Sequence, residues 1–172
     1  MEKKIHKGDK SIYQQIRESV GMTRAEASEA MKFVSESRIE KYESGKSLVQ
    51  PEEILAMAKA YNQPVLCNYY CSHECPIGQE YVPEVKVKDL AQIVLQTLAT
   101  MNLLEKAKDR FIEITADGQI TEDELDDFVK IEDGIKNIGL AADSLSLWME
   151  NTIATGKIDR EKLEKARKAL GK

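Results

Sequence analysis

The chain has 172 residues, 42 % of them hydrophobic and 32 % charged, with a net charge of -5. That size and composition suit one medium domain or two small ones and exclude a fibre or a disordered tail. Residues 1–66 carry 11 Lys and Arg against 10 Asp and Glu, and residues 67–172 carry 14 against 20, so the acid lies in the second part and indiscriminate attraction to polyanions is excluded for the chain as a whole.

No apolar stretch follows "MEKKIHKGDK", and no run approaches the roughly 18 apolar residues of a membrane span, so neither export nor insertion is expected and the protein reads as cytoplasmic. Five short helices are expected next. "DKSIYQQIRESVG" sets Ile12, Ile16 and Val20 on one stripe and stops at Gly21. In "MTRAEASEAM", Thr23 caps the start while Glu26 reaches back to it, the reciprocal capping-box pairing. "FVSESRIEKYESG" follows with Ser35 as cap, Val34 and Ile39 as a hydrophobic staple, and Gly45 as stop. "QPEEILAMAKAYNQP" opens with Pro51 at the first helical position and closes at Asn62, and "VLCNYYCSHE" runs to Glu74. Residues 75–86, with two prolines, a glycine and no periodicity, read as a linker between a domain over 1–74 and one over 87–172.

From Val87 onward the helices lengthen. Leu90, Val94, Thr97, Met101, Leu104, Lys108 and Phe111 form one near-heptad seam, and Phe128, Ile131, Ile135, Ile138, Ala142, Leu145 and Met149 form another. The connections "TADGQITEDEL" and "IATGKIDREKL" each place a glycine, an isoleucine, a cap and a leucine in the same order. The expected architecture is therefore all-α: a five-helix domain, then a helical hairpin over 87–114 and 121–150 with a shorter third helix.

Residues 9–66 resemble the Xre-type helix-turn-helix domain of phage Cro and repressor-like regulators, whose pattern runs Leu-Thr-Gln-Glu-Glu-Leu-Ala, turn, Ser-x-x-x-Ile-x-x-Tyr-Glu-x-Gly, Pro, helix. The counterparts here are "MTRAEAS", "SESRIEKYESG" and "PEEILAMAKAYNQP". The turn "KFV" is one residue longer than is usual in that family and lacks its glycine. The "YC…CPIG" segment is similar to those that follow this type of domain. The resemblance implies double-stranded DNA as partner, helix 35–44 in the major groove, and an ion pair between Arg17 and Glu43 that turns one of the three glutamates of "SESRIEKYESG" inward.

With Ile39 and Tyr42 inward, Ser35, Glu36, Ser37, Arg38, Glu40 and Lys41 are left as the groove-facing or flanking set. Arg38 suits guanine O6 and N7, and glutamate can accept from cytosine N4, so Arg38, Glu36, Ser37 and Lys41 are expected at base edges. Arg24, Lys32, Lys46 and Ser47 are expected at phosphates. Cations are few, so useful affinity calls for a homodimer that makes the second half-site contact intramolecular. Leu90, Val94, Leu98, Met101, Phe128, Ile131, Ile135, Ile138, Leu145 and Trp148 are its expected contacts, because the hairpin carries more apolar surface than one antiparallel pair hides. The alternative cover for that surface is the third helix, through Leu163, Ala166 and Leu170, with the N-terminal domain.

Cys67, Cys71, His73 and Cys75 are donors for a metal on paper, but the spacing is not that of a zinc knuckle and the other histidine is His6, so packed thiols are expected instead. "ADGQITEDE" matches only the later positions of a calcium loop and is explained by its caps. No phosphate loop or nucleophile elbow is present, and neither an enzyme nor a cofactor is expected. The reading is a sequence-specific DNA-binding regulator, repressing as a dimer, with the acidic hairpin free to take a protein partner. The alternative reading is a protein-interaction adaptor of a phage or mobile element whose helix-turn-helix is vestigial.

Overall fold

Local signals start nearly every helix of the first unit. Ser11 Oγ accepts from Gln14 N at 3.3 Å and opens α1 (Ile12–Ser19). Thr23 and Glu26 exchange two bonds, 3.2 and 2.7 Å, at the head of α2 (Arg24–Met31), satisfying amides that would otherwise be orphaned. Ser35 caps α3 (Glu36–Glu43), and Pro51 begins α4 (Pro51–Ala60). Two more follow, α5 (Val65–His73) and α6 (Pro76–Tyr81). The computed structural model describes residues 10–86 and 88–171. The expectations for His6, for the absence of an apolar leader at the N-terminus and for Val87 fall outside them.

α2 packs on α3 and α4, α1 on α3, and α4 on α5. Their shared core holds Tyr13, Met31, Val34, Ile39, Tyr42, Ile54, Met57, Tyr61 and Leu66, with Ala27 fully buried where α2 must approach its neighbours closely. Burial of side chains such as Ile39, Met57 and Leu66 stabilises the unit by about 1.5–3 kcal/mol each, so the short helices are held by packing rather than by propensity.

The segment 75–86, expected as a linker, contains α6. A Cβ on Gly78 would sit 2.1 Å from the Cys71 carbonyl oxygen, so α6 lies against the backbone of α5 in a way only glycine permits. Six residues are too few to show a helical period, which is why the pattern is silent there. The chain divides into one compact unit that ends at Glu84 and resumes at Glu150, and a second over Val85–Met149. That division differs from the expected one, in which 150–172 goes with the hairpin.

The second unit is built from α7 (Leu90–Thr115) and most of α8 (Leu125–Ala154); α9 (Arg160–Ala169) follows. Every described element is a helix, and none is long and apolar enough to cross a membrane. In α9 no residue is buried, and Leu170 is 77 % exposed, so Leu163, Ala166 and Leu170 form no buried face.

The buried stripe of the long helices follows the expected seam only in part: Ile131 is buried and Leu104, Phe111, Phe128 and Ile138 are half-buried, while the other buried positions lie beside it. Ile93, Thr100 and Ile114 are buried on α7, and Ile131, Ala141, Ser144 and Leu147 on α8, whereas Leu90, Val94, Met101, Ile135 and Leu145 are exposed. Thr100 Oγ1 donates to the Gln96 carbonyl at 2.9 Å and Ser144 Oγ to the Leu140 carbonyl at 2.7 Å, so both bury without an orphaned donor although their type reads as polar. Leu104 reaches the space over Gly134, where a Cβ would lie 2.7 Å from its Cδ2, and Arg110 Nε bonds Asp127 Oδ2 at 3.0 Å.

Candidate nucleic-acid interface

The face that presents α3 begins with the turn before it. Phe33 N donates to the Met31 carbonyl at 2.8 Å across Lys32, whose φ and ψ are 65° and -40°. This is the positive-φ γ-turn, an uncommon and strained conformation for a side chain with a Cβ. Lys32 thus takes up the backbone duty that glycine would perform without that strain. The additional residue of the turn is accommodated outward: Phe33 is 63 % exposed, while Val34 is buried and its carbonyl accepts from Ser28 Oγ at 2.8 Å.

Beyond the turn, Ser35 Oγ accepts from Arg38 N at 3.3 Å, so Ser35 acts as a cap. Ile39, Tyr42 and Glu43 are buried, and Glu36, Ser37, Arg38, Glu40 and Lys41 are exposed. Lys32, Lys46 and Ser47 are exposed as well, and Arg24 is intermediate. The exposed residues of α3 therefore form a polar surface with its long side chains in solvent, the form a groove-entering helix needs.

Two buried carboxylates lie behind that surface. Glu43, whose side chain is 2 % exposed, accepts from Arg17 Nε at 2.6 Å and Arg17 Nη2 at 3.1 Å, and from Arg24 Nε at 2.8 Å. Arg17 Nη1 also donates to the Met22 carbonyl at 2.6 Å. The hydrogen bonds to Glu43 hold the Arg17 guanidinium above its ordinary pKa despite burial. Glu53, from α4, has a side chain 7 % exposed and lies 2.6 Å from Arg38 Nε. Arg38 Nε donates to the Tyr42 hydroxyl, which in turn donates to Glu53 Oε2. Burial and the bond to Glu53 push the Tyr42 phenol up, and the bond to Tyr42 keeps Arg38 firmly charged.

The structure adds to two of the expectations. Arg24, expected as a phosphate contact, also gives its Nε to Glu43, and Arg38, expected at a base edge, is also gripped from behind by Tyr42 and Glu53. In the sequence Glu53 reads only as one of two acids in a helix's first turn. It is that too, accepting from Gln50 N at 3.0 Å. The available signal is an acid two residues after Pro51, placed where α4 must turn one face to the core.

The thiols do not converge on a metal. Cys67, Cys71 and Cys75 are free and half-buried, and burial raises the Cys67 thiol above its usual pKa. His73 stacks on Tyr69 with ring centroids 4.4 Å apart, its Nδ1 2.9 Å from Ser72 Oγ. Among the described residues no three His, Cys, Asp or Glu side chains gather at a metal site. In "ADGQITEDE" the Glu124 carboxylate accepts from Thr121 N at 3.0 Å and Thr121 Oγ1 at 2.7 Å, which uses it as a helix-start cap.

Of the expected dimer contacts, Leu90, Val94, Leu98 and Met101 share an exposed face of α7, with exposures of 40 to 54 %. Ile135 and Leu145 are exposed on α8, Phe128, Ile138 and Trp148 are half-buried, and Ile131 is buried. Between the helices runs an apolar groove of about 350 Å³, with Met101, Leu104 and Phe111 on one side and Ile131, Ile135 and Ile138 on the other.

Residues 14–65 match the helix-turn-helix family model. No curated protein and no solved structure matches the chain. The N-terminal domain is thus an Xre-like helix-turn-helix of the kind found in DNA-binding regulators, and the match ends before the hairpin begins.

Proposed function

We propose that this chain is a sequence-specific DNA-binding regulator that acts as a homodimer and represses by occupying its operator. The observation that carries the reading is α3, capped at Ser35 and stopped at Gly45 with φ 68°, whose buried side anchors it and whose outward side is wholly polar. Glu36, Ser37 and Lys41 are free to meet base edges, and Lys32, Lys46 and Ser47 to meet phosphates. Two of the domain's acids, Glu43 and Glu53, are withdrawn into the core and paired with Arg17, Arg24 and Arg38, so neither carboxylate faces an approaching duplex.

The dimer reading is supported by the apolar face of α7, since a monomer rarely leaves a contiguous patch of that kind in water. A second hairpin would cover it in a four-helix arrangement. Two half-sites about one helical turn apart would match such a twofold molecule.

The test is selection from a random duplex library with the full chain, followed by a salt titration on selected and unrelated DNA. A regulator should yield one palindromic site, with log affinity falling by about 0.9 per phosphate contact for each decade of salt. Equal, feeble binding to both DNAs would refute the reading and leave the domain as a protein-contact module.

A further inference from the structure

Arg24 and Arg38 share an arrangement. Each is a partly solvated arginine, with side chains 40 % and 50 % exposed, and each is held at Nε by a carboxylate that is almost wholly buried. For Arg38 the support is itself fixed. Glu53 accepts from Gln50 N and from the Tyr42 hydroxyl, and Tyr42 is 2 % exposed in the core. The Arg38 guanidinium carbon lies 5.8 Å from the centre of the Tyr42 ring, so the plane is guided by a ring as well as by a carboxylate.

A guanidinium engaged at Nε still has its Nη1 and Nη2 groups as a planar fork, and a fork of this kind pairs with O6 and N7 of guanine. An arginine free in solvent must lose its rotamer freedom on docking, whereas one already pinned loses less. Building on the DNA-binding reading above, we propose that Glu53 and Tyr42 are positioning residues that aim the Nη pair of Arg38 at a guanine in the major groove. Base preference at one position of each half-site then depends on a carboxylate that never touches DNA.

The experiment is site selection with the full chain as wild type, Arg38→Ala, Glu53→Gln and Tyr42→Phe, each checked by circular dichroism and melting before use. Wild type is expected to select G·C at one position per half-site, and Arg38→Ala to flatten that position alone. Glu53→Gln should lower the preference for G·C over A·T there by about tenfold, with the other positions and the salt slope unchanged, and Tyr42→Phe should do so less strongly. Tyr42→Phe keeps the ring and the core volume, so it remains informative if Glu53→Gln fails to fold. The proposal is overturned if Arg38→Ala leaves the site unchanged, or if Arg38→Ala flattens the position while both supporting variants keep full preference. It is equally overturned if folded Glu53→Gln binds more tightly, which would make Glu53 a competitor of DNA, or weakens all positions alike, which would make it merely structural. A wild-type protein that selects no site would instead sink the DNA-binding premise, an outcome distinct from the rest.

Discussion

Replacing Glu43 by glutamine should nearly unfold the helix-turn-helix unit. The side chain is 2 % exposed and takes three charge-assisted bonds, two from Arg17 and one from Arg24. The Arg17 side chain is 7 % exposed, so it cannot turn to water once its partner is neutral. Removing one member of a buried pair costs about 3–5 kcal/mol. Arg24, at 40 % exposure, can resolvate and adds at most about 1 kcal/mol. Small domains are stable by as little as about 5 kcal/mol, and for one of this size each kcal/mol shifts Tm by about 4–8 °C. The double variant Arg17→Met with Glu43→Leu removes both charges together and leaves mainly the unpaired Met22 carbonyl, so it should lose no more than about 2 kcal/mol. Hydrogen exchange on the full chain reads this locally, comparing peptides from α1 to α4 with peptides from α7 as an internal control. If Glu43→Gln costs under about 1.5 kcal/mol, or the double variant loses the sum of the singles, the buried pair is not what holds these helices in register.

Lys32→Gly should raise stability by about 1 kcal/mol, because release of a strained positive φ outweighs the entropy glycine adds to the unfolded chain; a lower melting temperature would contradict the γ-turn. Leu98→Glu with Met101→Glu should leave helix content intact, give a monomer by light scattering, and weaken operator binding by about 100-fold or more; an unchanged mass would remove the α7 face from the dimer. Gly78→Ala should cost about 1–3 kcal/mol and open residues 75–86 to protease, and an unaltered digestion pattern would show that α6 is not locked against α5. Burial raises the Cys67 thiol, so less thiolate exists at a given pH; its alkylation by iodoacetamide should be slower than that of an unburied thiol at pH 8 and should keep rising above the pH where an ordinary thiol levels off.

Helix starts and stops are legible in the chain because they are made by residues within four positions of one another. Thr23 with Glu26, Ser35, Pro51 and the positive-φ glycines at 21, 45, 118 and 156 each act on their own stretch of backbone, so reading them needs no partner from elsewhere. The Arg17–Glu43 pair follows only from a resemblance, since nothing local connects residues 26 apart. What tertiary structure alone decided are the contacts that cross between helices or hide a polar group. Arg38 meets Glu53 only because α3 and α4 fold together, and Arg24 meets Glu43 only because α2 lies on α3. Thr100 and Ser144 can be buried on the long helices because each returns its hydroxyl to its own backbone, something residue type conceals. The same limit covers the six residues of α6 and the left-handed turn at Lys32: a short or strained element has no period to display, and it exists because the surrounding packing leaves the chain no other path.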